Sequence, residues 1–189
     1  MSQTSKTIRT ANARNENKIT VVIGNAPSAQ QWDLYHSPTI VCNRGVFDHI
    51  ADHCVIIDRF CIAELIDSLP QGVEYWTKTS PLELPPGFKQ IEAPGIDSGS
   101  LAIHLAQTLY PNNTTVCVGF DGILRENTNN RYTYKFRGHT HRAKAQTYER
   151  YRSQAIKLAQ TAPTLFVGNV PDSELEVIDY ESAVQMVRE

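Results

Sequence analysis

Short runs of apolar, β-branched residues alternate along the chain with segments in which apolar residues recur every three or four positions. Runs of the first kind predict β-strands, and segments of the second kind predict amphipathic helices. The predicted strands are 18–23, 39–42, 54–57, 73–76, 114–118 and 164–167, and the predicted helices are 59–69, 98–110 and 140–161. Because the strands are almost continuously apolar and helices separate them, we expect a mostly parallel sheet with helices on both faces.

Two stretches interrupt this alternation. Residues 79–94 contain four prolines, and residues 120–138 are long, polar and rich in asparagine. We interpret 120–138 as a short lid over a ligand site. The polar residues 1–17 predict a disordered tail. Since no repeat or second apolar core is evident, we expect one Rossmann-like α/β domain over 18–189.

Composition narrows the class of protein. The chain has 189 residues, 41% of them hydrophobic, and its apolar runs are far shorter than the ~18 residues that a membrane-spanning helix needs. Its first residues do not have the pattern of a secretory signal, so we expect a cytoplasmic protein without a membrane span. The four cysteines have no CxxC spacing and predict reduced, buried thiols: Cys42, Cys54, Cys61 and Cys117.

Charge is distributed unevenly. The formal net charge of −2 argues against a protein that coats nucleic acid. Residues 125–152 nevertheless hold eight basic side chains against two glutamates, whereas the chain from Asp172 onward is acidic. A charge run of this kind is either a solvated helix face or an anion-binding surface, and the sequence leaves both open.

Polar residues follow the predicted strands, where a parallel sheet places its ligands. The first strand ends in G-N-A-P-S: Gly24 permits a tight turn, Pro27 fixes φ, and Ser28 can cap a helix whose N–H groups face an anion. This turn matches neither the dinucleotide nor the P-loop fingerprint. We single out as ligand contacts Gly24, Asn25, Pro27, Ser28, Asn43, Arg44, Asp58, Ser98, Gly99, Ser100, Gly119 and Asp121. Plain turn or helix caps are the alternative for several of them.

Two later motifs add candidate chemistry. In D-S-G-S at 97–100, Ser98 is a natural helix cap and Gly99 leaves space for a ligand at the helix start. Gly138 places His139 at the predicted start of the long helix, where an imidazole is a candidate general base. The alternative is that His139 merely begins that helix. No D-x-D or H-E-x-x-H motif accompanies it, so we expect a site without metal.

Taken together, the motifs G-N-A-P-S, C-N-R, D-S-G-S, V-G-F-D and F-R-G-H-T resemble glycosyltransferase family 42, the bacterial sialyltransferases. The resemblance implies a GT-A-type variant of the Rossmann-like fold and a metal-independent, inverting transfer that needs no cofactor. It also implies a CMP-type nucleotide-sugar donor, a glycan or other hydroxyl acceptor, and His139 as the base. By motif matching, the donor contacts are Asn25, Ser28, Asn43, Ser98, Gly99 and Asp121.

The chain also departs from the family's pattern. It has Arg44 where the family has glutamine, Gly95 where the family has arginine, and Phe136 where the family has tyrosine. Hydroxyls that would bind the phosphate are therefore partly missing. We expect Tyr132, Tyr134 and Arg137 in the lid to stabilise the leaving phosphate instead, since donors in a closed site act on developing charge.

Two other functions remain open. The S-G-S and V-G-x-D motifs are also similar to the archaeal 6-hydroxymethylpterin diphosphokinase-like family, which would require magnesium near Asp58, Asp97 or Asp121. A non-catalytic module would keep the pocket and bind a nucleotide, or less favourably nucleic acid, through 125–152. A homo-oligomer is compatible with each of these functions.

Overall fold

The computed structural model describes residues 18–79, 84–92, 97–126, 135–136, 139–140 and 145–189. Its centre is a sheet of eight strands, all parallel. These strands are β1 (Ile19–Ile23), β2 (Thr39–Cys42), β3 (His53–Val55), β4 (Glu74–Lys78), β5 (Phe88–Ile91), β6 (Thr114–Val118), β9 (Thr164–Val167) and β10 (Glu176–Ile178). A separate antiparallel pair joins β7 (Lys135–Phe136) to β8 (His139–Thr140).

The strand order reverses in the middle of the sheet. The order is β10-β9-β6-β1-β2-β3-β4-β5, so the chain moves outward from β1 to β5 and then crosses back to put β6 on the other side of β1. In an open parallel sheet, the strand order reverses at such a point and the connections leave in opposite directions. The carboxyl ends of β1 and β6 are therefore where this fold offers a ligand site.

Helices cover both faces of the sheet. They are α1 (Arg59–Leu65), α2 (Ser98–Leu109), α3 (Ala145–Ala159) and α4 (Tyr180–Arg188). Residues of α1 and α4 share one apolar layer with Val21 and Ile23, whereas α2 and α3 share the other with Val22. Successive residues of a strand point to opposite faces, which is why β1 must be apolar throughout. The predicted Rossmann-like α/β class is confirmed.

The predicted elements need correction in both their number and their bounds. The strand β5 lies inside 79–94, where no element was expected, and the sequence analysis also did not predict β10 or α4. The helix predicted over 140–161 begins at Ala145, because Thr140 pairs with Lys135 in the β7–β8 hairpin instead. His139 accordingly lies in a strand and does not begin a helix. The predicted helix 59–69 is α only to Leu65, and a 3₁₀ turn follows.

The predicted lid begins too early. Phe120, Ile123 and Leu124 are buried, and they belong to the same apolar layer as α2 and α3. Apolar side chains at these positions favour packing over exposure. The rest of the predicted lid falls mainly on 127–134 and 137–138, which lie outside the described residues, as do Tyr132, Tyr134, Arg137 and the tail 1–17.

All four cysteines are free and buried, which confirms their prediction as reduced thiols. Burial raises the pKa of Cys61 to about 11, and it also raises the pKa of the other three thiols well above the ordinary value. These thiols therefore serve as small apolar side chains. Within the described ranges, no helix has the length and apolar character to cross a membrane.

Candidate functional site

The turns after β1 and β6 touch through their backbones. The N–H of Gly24 donates to Val118 at 2.7 Å, and the N–H of Ala26 donates to the carbonyl of Gly119 at 3.1 Å. A Cβ on Gly24 would collide with the oxygen of Gly119. Glycine at position 24 is therefore required by the close approach of the two chains.

Ser28 joins the same two turns through its side chain. Its N–H donates to Asp121 Oδ2 at 3.2 Å, and its hydroxyl donates to Asp121 Oδ1. Asp121 is 5% exposed. The cap of the short 3₁₀ helix Pro27–Gln31 is Ala26, without a side-chain bond, so the expectation that Ser28 caps the helix and offers a free N–H is wrong.

A carboxylate of the chain likewise occupies the start of α2. Asp97 caps the helix by accepting from the N–H of Ser100 at 2.9 Å and from its hydroxyl at 2.5 Å. The predicted cap, Ser98, is instead the first residue of the helix. Burial raises the pKa of Asp97, although the hydrogen bonds from Ser100 oppose this effect. Ser100 is fully buried and serves the cap.

Both turns that were predicted to meet a ligand are thus filled by carboxylates of the chain itself. Asp121 occupies the donors of Ser28, and Asp97 occupies those at the start of α2. A ligand phosphate would be repelled by either carboxylate in its ionised form. The groups at this edge that remain suited to a ligand are therefore neutral and polar.

Asn43 provides one such group. It follows β2 with a φ of 49°, a conformation that asparagine tolerates better than most residues. Its side-chain oxygen accepts from the hydroxyl of Ser98 at 3.0 Å. This bond uses the amide oxygen and leaves the NH₂ group as a donor. The structure therefore brings Asn43 and Ser98 together, as the sequence predicted for residues of one site.

Asn25 provides the second group. It follows β1, and its side-chain Oδ1 is buried without a hydrogen-bond partner in the described part of the chain. Buried acceptors are nearly always satisfied by protein, water or ligand. Because β1 and β2 are neighbours in the sheet, Asn25 and Asn43 follow adjacent strands at its carboxyl edge.

Packing explains the glycine at position 99. A Cβ there would lie 2.9 Å from the ring of Phe120 and 3.0 Å from Asp97 Oδ1. The backbone of α2 thus lies directly on the segment that follows β6. Gly99 connects these two parts of the site through packing, whether or not a ligand also approaches it.

Two tyrosines of α3, which the sequence analysis missed, also reach this region. The ring of Tyr148 packs against Gly122, and its centroid lies 6.0 Å from that of Tyr151 in an edge-to-face arrangement. Burial raises the pKa of both phenols, and the nearby Asp97 adds to the rise at Tyr151. Their spacing of three residues, which puts both on one face of a helix, is the signal that would have found them.

Arg44 and Asp58 both bind to helix α1. Arg44 forms an ion pair with Glu64 at 2.5 Å, and Asp58 caps the helix by accepting from the N–H of Phe60 at 2.8 Å. These contacts favour the alternative of a helix cap for Asp58. Both residues are thus engaged with α1.

Part of the basic segment 125–152 is neutralised within the chain. Arg152 is 3% exposed and contacts Asp172 at 2.8 Å, Glu174 at 3.0 Å and the carbonyl of Ile123 at 2.9 Å. Arg125 pairs with Glu149 on the surface. The acidic stretch from Asp172 thus compensates a buried cation. The side chains of Arg131, Lys135, Arg137, Arg142 and Lys144 lie outside the described part.

The carboxylates considered for magnesium do not converge. Asp58 caps α1, Asp97 caps α2, and Asp121 accepts from Ser28. Over the described ranges, no group of three or more histidine, cysteine, aspartate or glutamate side chains is arranged to hold a metal ion. Each of these three carboxylates has a structural partner within the chain instead.

The parallel sheet, the reversal of strand order between β1 and β6, and the polar groups at the carboxyl ends of these strands define an α/β protein of Rossmann-like fold with a candidate ligand site at the strand reversal. Comparisons with family models, curated proteins and solved structures found no match to this chain. The functional assignment therefore depends on the residues of the site.

Proposed function

We propose that this protein is a metal-independent, inverting glycosyltransferase of the sialyltransferase-like type, which transfers a sugar from a CMP-linked donor to an acceptor hydroxyl. The observation that carries the proposal is the buried, unpartnered Oδ1 of Asn25 on the edge that also holds Asn43. Leaving such an atom without a partner costs ~1–3 kcal/mol, and in this proposal the ligand supplies the missing donor.

The polar groups of this edge suit a nucleobase better than a phosphate. Asn25 offers an amide oxygen, and Asn43 offers an amide NH₂ while its own oxygen is held by Ser98. Cytosine carries an amino donor at N4 and acceptors at its ring nitrogen and carbonyl oxygen. One amide acceptor and one amide donor on adjacent strands match that pattern, which supports a CMP-type donor.

The donor phosphate requires cationic or hydroxyl groups from elsewhere. Asp97 and Asp121 already fill the two turns predicted to hold it. We assign the phosphate to Tyr132, Tyr134 and Arg137, whose hydroxyl and guanidinium groups would stabilise the charge that develops on departing CMP.

In the transfer itself, His139 acts as the general base. Its imidazole takes the proton from the acceptor hydroxyl as that oxygen forms a bond to the anomeric carbon. The bond between this carbon and the phosphate oxygen breaks, and CMP leaves with the electron pair. Attack from the face opposite to CMP inverts the configuration of the sugar. The close approach of Gly24 and Gly119 holds the ends of β1 and β6 together. Gly99 keeps α2 against the segment after β6, so that these parts form one site.

The first experiment measures the thermal shift given by CMP, CDP, UDP, GDP and ATP in the presence of EDTA. We expect CMP to stabilise the protein, by ~2.7 kcal/mol at a concentration of 100 Kd. Asn25→Ala should reduce this shift, whereas Asn112→Ala, on an exposed turn before β6, should not. Stabilisation by ATP only with added magnesium would instead favour the diphosphokinase-like function.

The second experiment measures transfer from a CMP-linked sugar. We expect His139→Ala to bind CMP as the wild type does but to lose ~10²–10⁴-fold in turnover, the usual contribution of a positioned base. His141→Ala is the control and should retain its activity. Full turnover in His139→Ala would contradict the mechanism. Binding of CMP with no transfer by the wild type would identify the non-catalytic module.

A further inference from the structure

A second polar cluster lies at the opposite ends of the strands, where β3 and β4 begin. His53 is the first residue of β3 and is 7% exposed. Its Nε2 lies 2.7 Å from the hydroxyl of Tyr110, which ends α2, and its Nδ1 lies 3.3 Å from Glu74 Oε2 and 3.4 Å from Trp76 Nε1. We call His53, Glu74, Trp76 and Tyr110 the His53 cluster.

The two partners of Nδ1 make opposite demands. The indole N–H of Trp76 can only donate, so it needs an Nδ1 without a proton. The carboxylate of Glu74 can only accept, so it needs an Nδ1 that carries one. A neutral imidazole has a single proton and satisfies one partner at a time. The hydroxyl of Tyr110 accommodates both cases, because it can donate to Nε2 or accept from it.

Protonation removes this ambiguity. In the cation both ring nitrogens donate, so Nδ1 bonds to Glu74 and Nε2 bonds to the oxygen of Tyr110. Trp76 then loses its acceptor in the ring. The cluster therefore has one arrangement when His53 is charged and a different one available when it is neutral.

Three charged side chains act on the imidazole of His53, each from a different part of the fold. Glu74 on β4 and Asp52, which precedes β3, favour the cation, whereas Lys89 on β5 opposes it. Lys89 also holds Glu74 at 2.6 Å and lies 5.2 Å from the centre of the Trp76 ring. Burial is the largest influence, and it lowers the pKa of His53. His53 is therefore neutral near pH 7 and gains its proton on acidification.

We infer that His53 is a proton-operated switch, which bonds to Trp76 when neutral and transfers this contact to Glu74 when charged. The inference rests on the juxtaposition of an indole donor and a carboxylate at one ring nitrogen. Tyr110 ties the switch to the end of α2, whose first residue, Ser98, contacts Asn43 in the candidate site. The switch thus acts on α2, a helix that reaches from the amino ends of the strands to the candidate site at their carboxyl ends.

The test follows the indole N–H signals of the ¹⁵N-labelled protein by NMR between about pH 8 and pH 5. Trp76→Phe identifies the signal of Trp76, and Trp32 is the internal reference, since the chain has two tryptophans. We expect the Trp76 signal to shift with a single midpoint while the Trp32 signal stays in place. In His53→Gln, which keeps a polar side chain but cannot titrate, the Trp76 signal should not move.

Two further variants separate the switch from a general acid effect. Glu74→Gln removes a charge that favours the cation, so the midpoint should move to lower pH. His104→Gln, which changes a histidine on α2, should leave the midpoint unchanged. An immobile Trp76 signal in the wild type, or a titration that persists in His53→Gln, would overturn the inference. If His53→Gln does not fold, an unchanged midpoint in Glu74→Gln overturns it.

Discussion

At the scale of single residues, the contact between the turns after β1 and β6 depends on backbone positions that exclude a side chain. Gly119 has a φ of +76°, and a Cβ there would lie 2.7 Å from the Cβ of Ala29. Gly87 has a similar φ of +84°, but a Cβ on it would have nothing within 4 Å. A comparison of these two glycines therefore separates the cost of a left-handed backbone from the cost of crowding by a Cβ atom.

We expect Gly119→Ala to destabilise the protein more than Gly87→Ala. Left-handed backbone costs ~1–2 kcal/mol at both positions. Crowding against Ala29 adds about 1–3 kcal/mol at Gly119 alone. Urea unfolding gives the two free energies. Equal losses in the two variants would show that the turn after β6 moves away freely.

A second prediction at this scale concerns acid. The pKa of His53 is lowered in the folded protein, so the unfolded chain takes up this proton first, at about pH 6.5. The contribution of His53 to the free energy of unfolding is therefore complete above that pH and falls as the pH drops toward the folded pKa. His53→Gln should weaken this dependence in urea unfolding measured at several pH values. The same slope in wild type and variant would contradict it.

The sequence alone indicated which polar residues lie at the candidate site, but it did not indicate the partners of their hydrogen bonds. The pair of Asn43 and Ser98 was expected at one edge because both adjoin the carboxyl ends of strands in a parallel sheet. The bond from Ser28 to Asp121 spans 93 residues, and no local pattern encodes it. Tyr148 and Tyr151 differ in this respect, because their spacing of three residues on α3 is a local pattern that the sequence does carry.

At the scale of elements, α3 is joined to the chain before β10 by a buried ion pair. Arg152 and Asp172 have side chains that are 4% and 11% exposed, and the hydrogen bond from Arg152 lowers the pKa of Asp172 to about 2. The pair formed by Arg125 and Glu149 is 58% exposed on both sides. Both pairs join an arginine to a carboxylate and each includes a residue of α3, but they differ in burial.

We predict that Arg152→Met costs ~3–5 kcal/mol of stability, because it leaves a buried carboxylate without its partner. Arg125→Met should cost at most about 1 kcal/mol, as is usual for exposed pairs. Thermal unfolding at neutral pH measures both. The reverse order would mean that Asp172 and Glu174 find other donors once the guanidinium is removed.

Elements with a strong period could be predicted, and short elements at the sheet edges could not. Most of the predicted strands match within one or two residues, since an apolar run that is buried on both faces is distinctive. The strand β10 has three residues, and β5 shows only the pattern buried, exposed, exposed, buried. Edge strands bury less surface and therefore leave a weaker pattern.

At the scale of the whole molecule, one sheet connects every layer. The strands β1 and β2 link the half that contains β3, β4 and β5 to the half that contains β6, β9 and β10. We expect far-UV circular dichroism and tryptophan fluorescence to report one coincident unfolding transition in urea. Two separated transitions would show that the halves are stable independently.

The central position of β1 affects the order in which the chain can assemble during translation. Ile19 pairs with Thr114, so one side of β1 waits for a neighbour that is made roughly 95 residues later. At ordinary rates of synthesis, this delay is about 5–20 s. Throughout that interval, an apolar strand edge with the sequence ITVVI is open to neighbouring nascent chains. Slow translation before Val118 therefore lengthens the period in which this chain is most prone to aggregate.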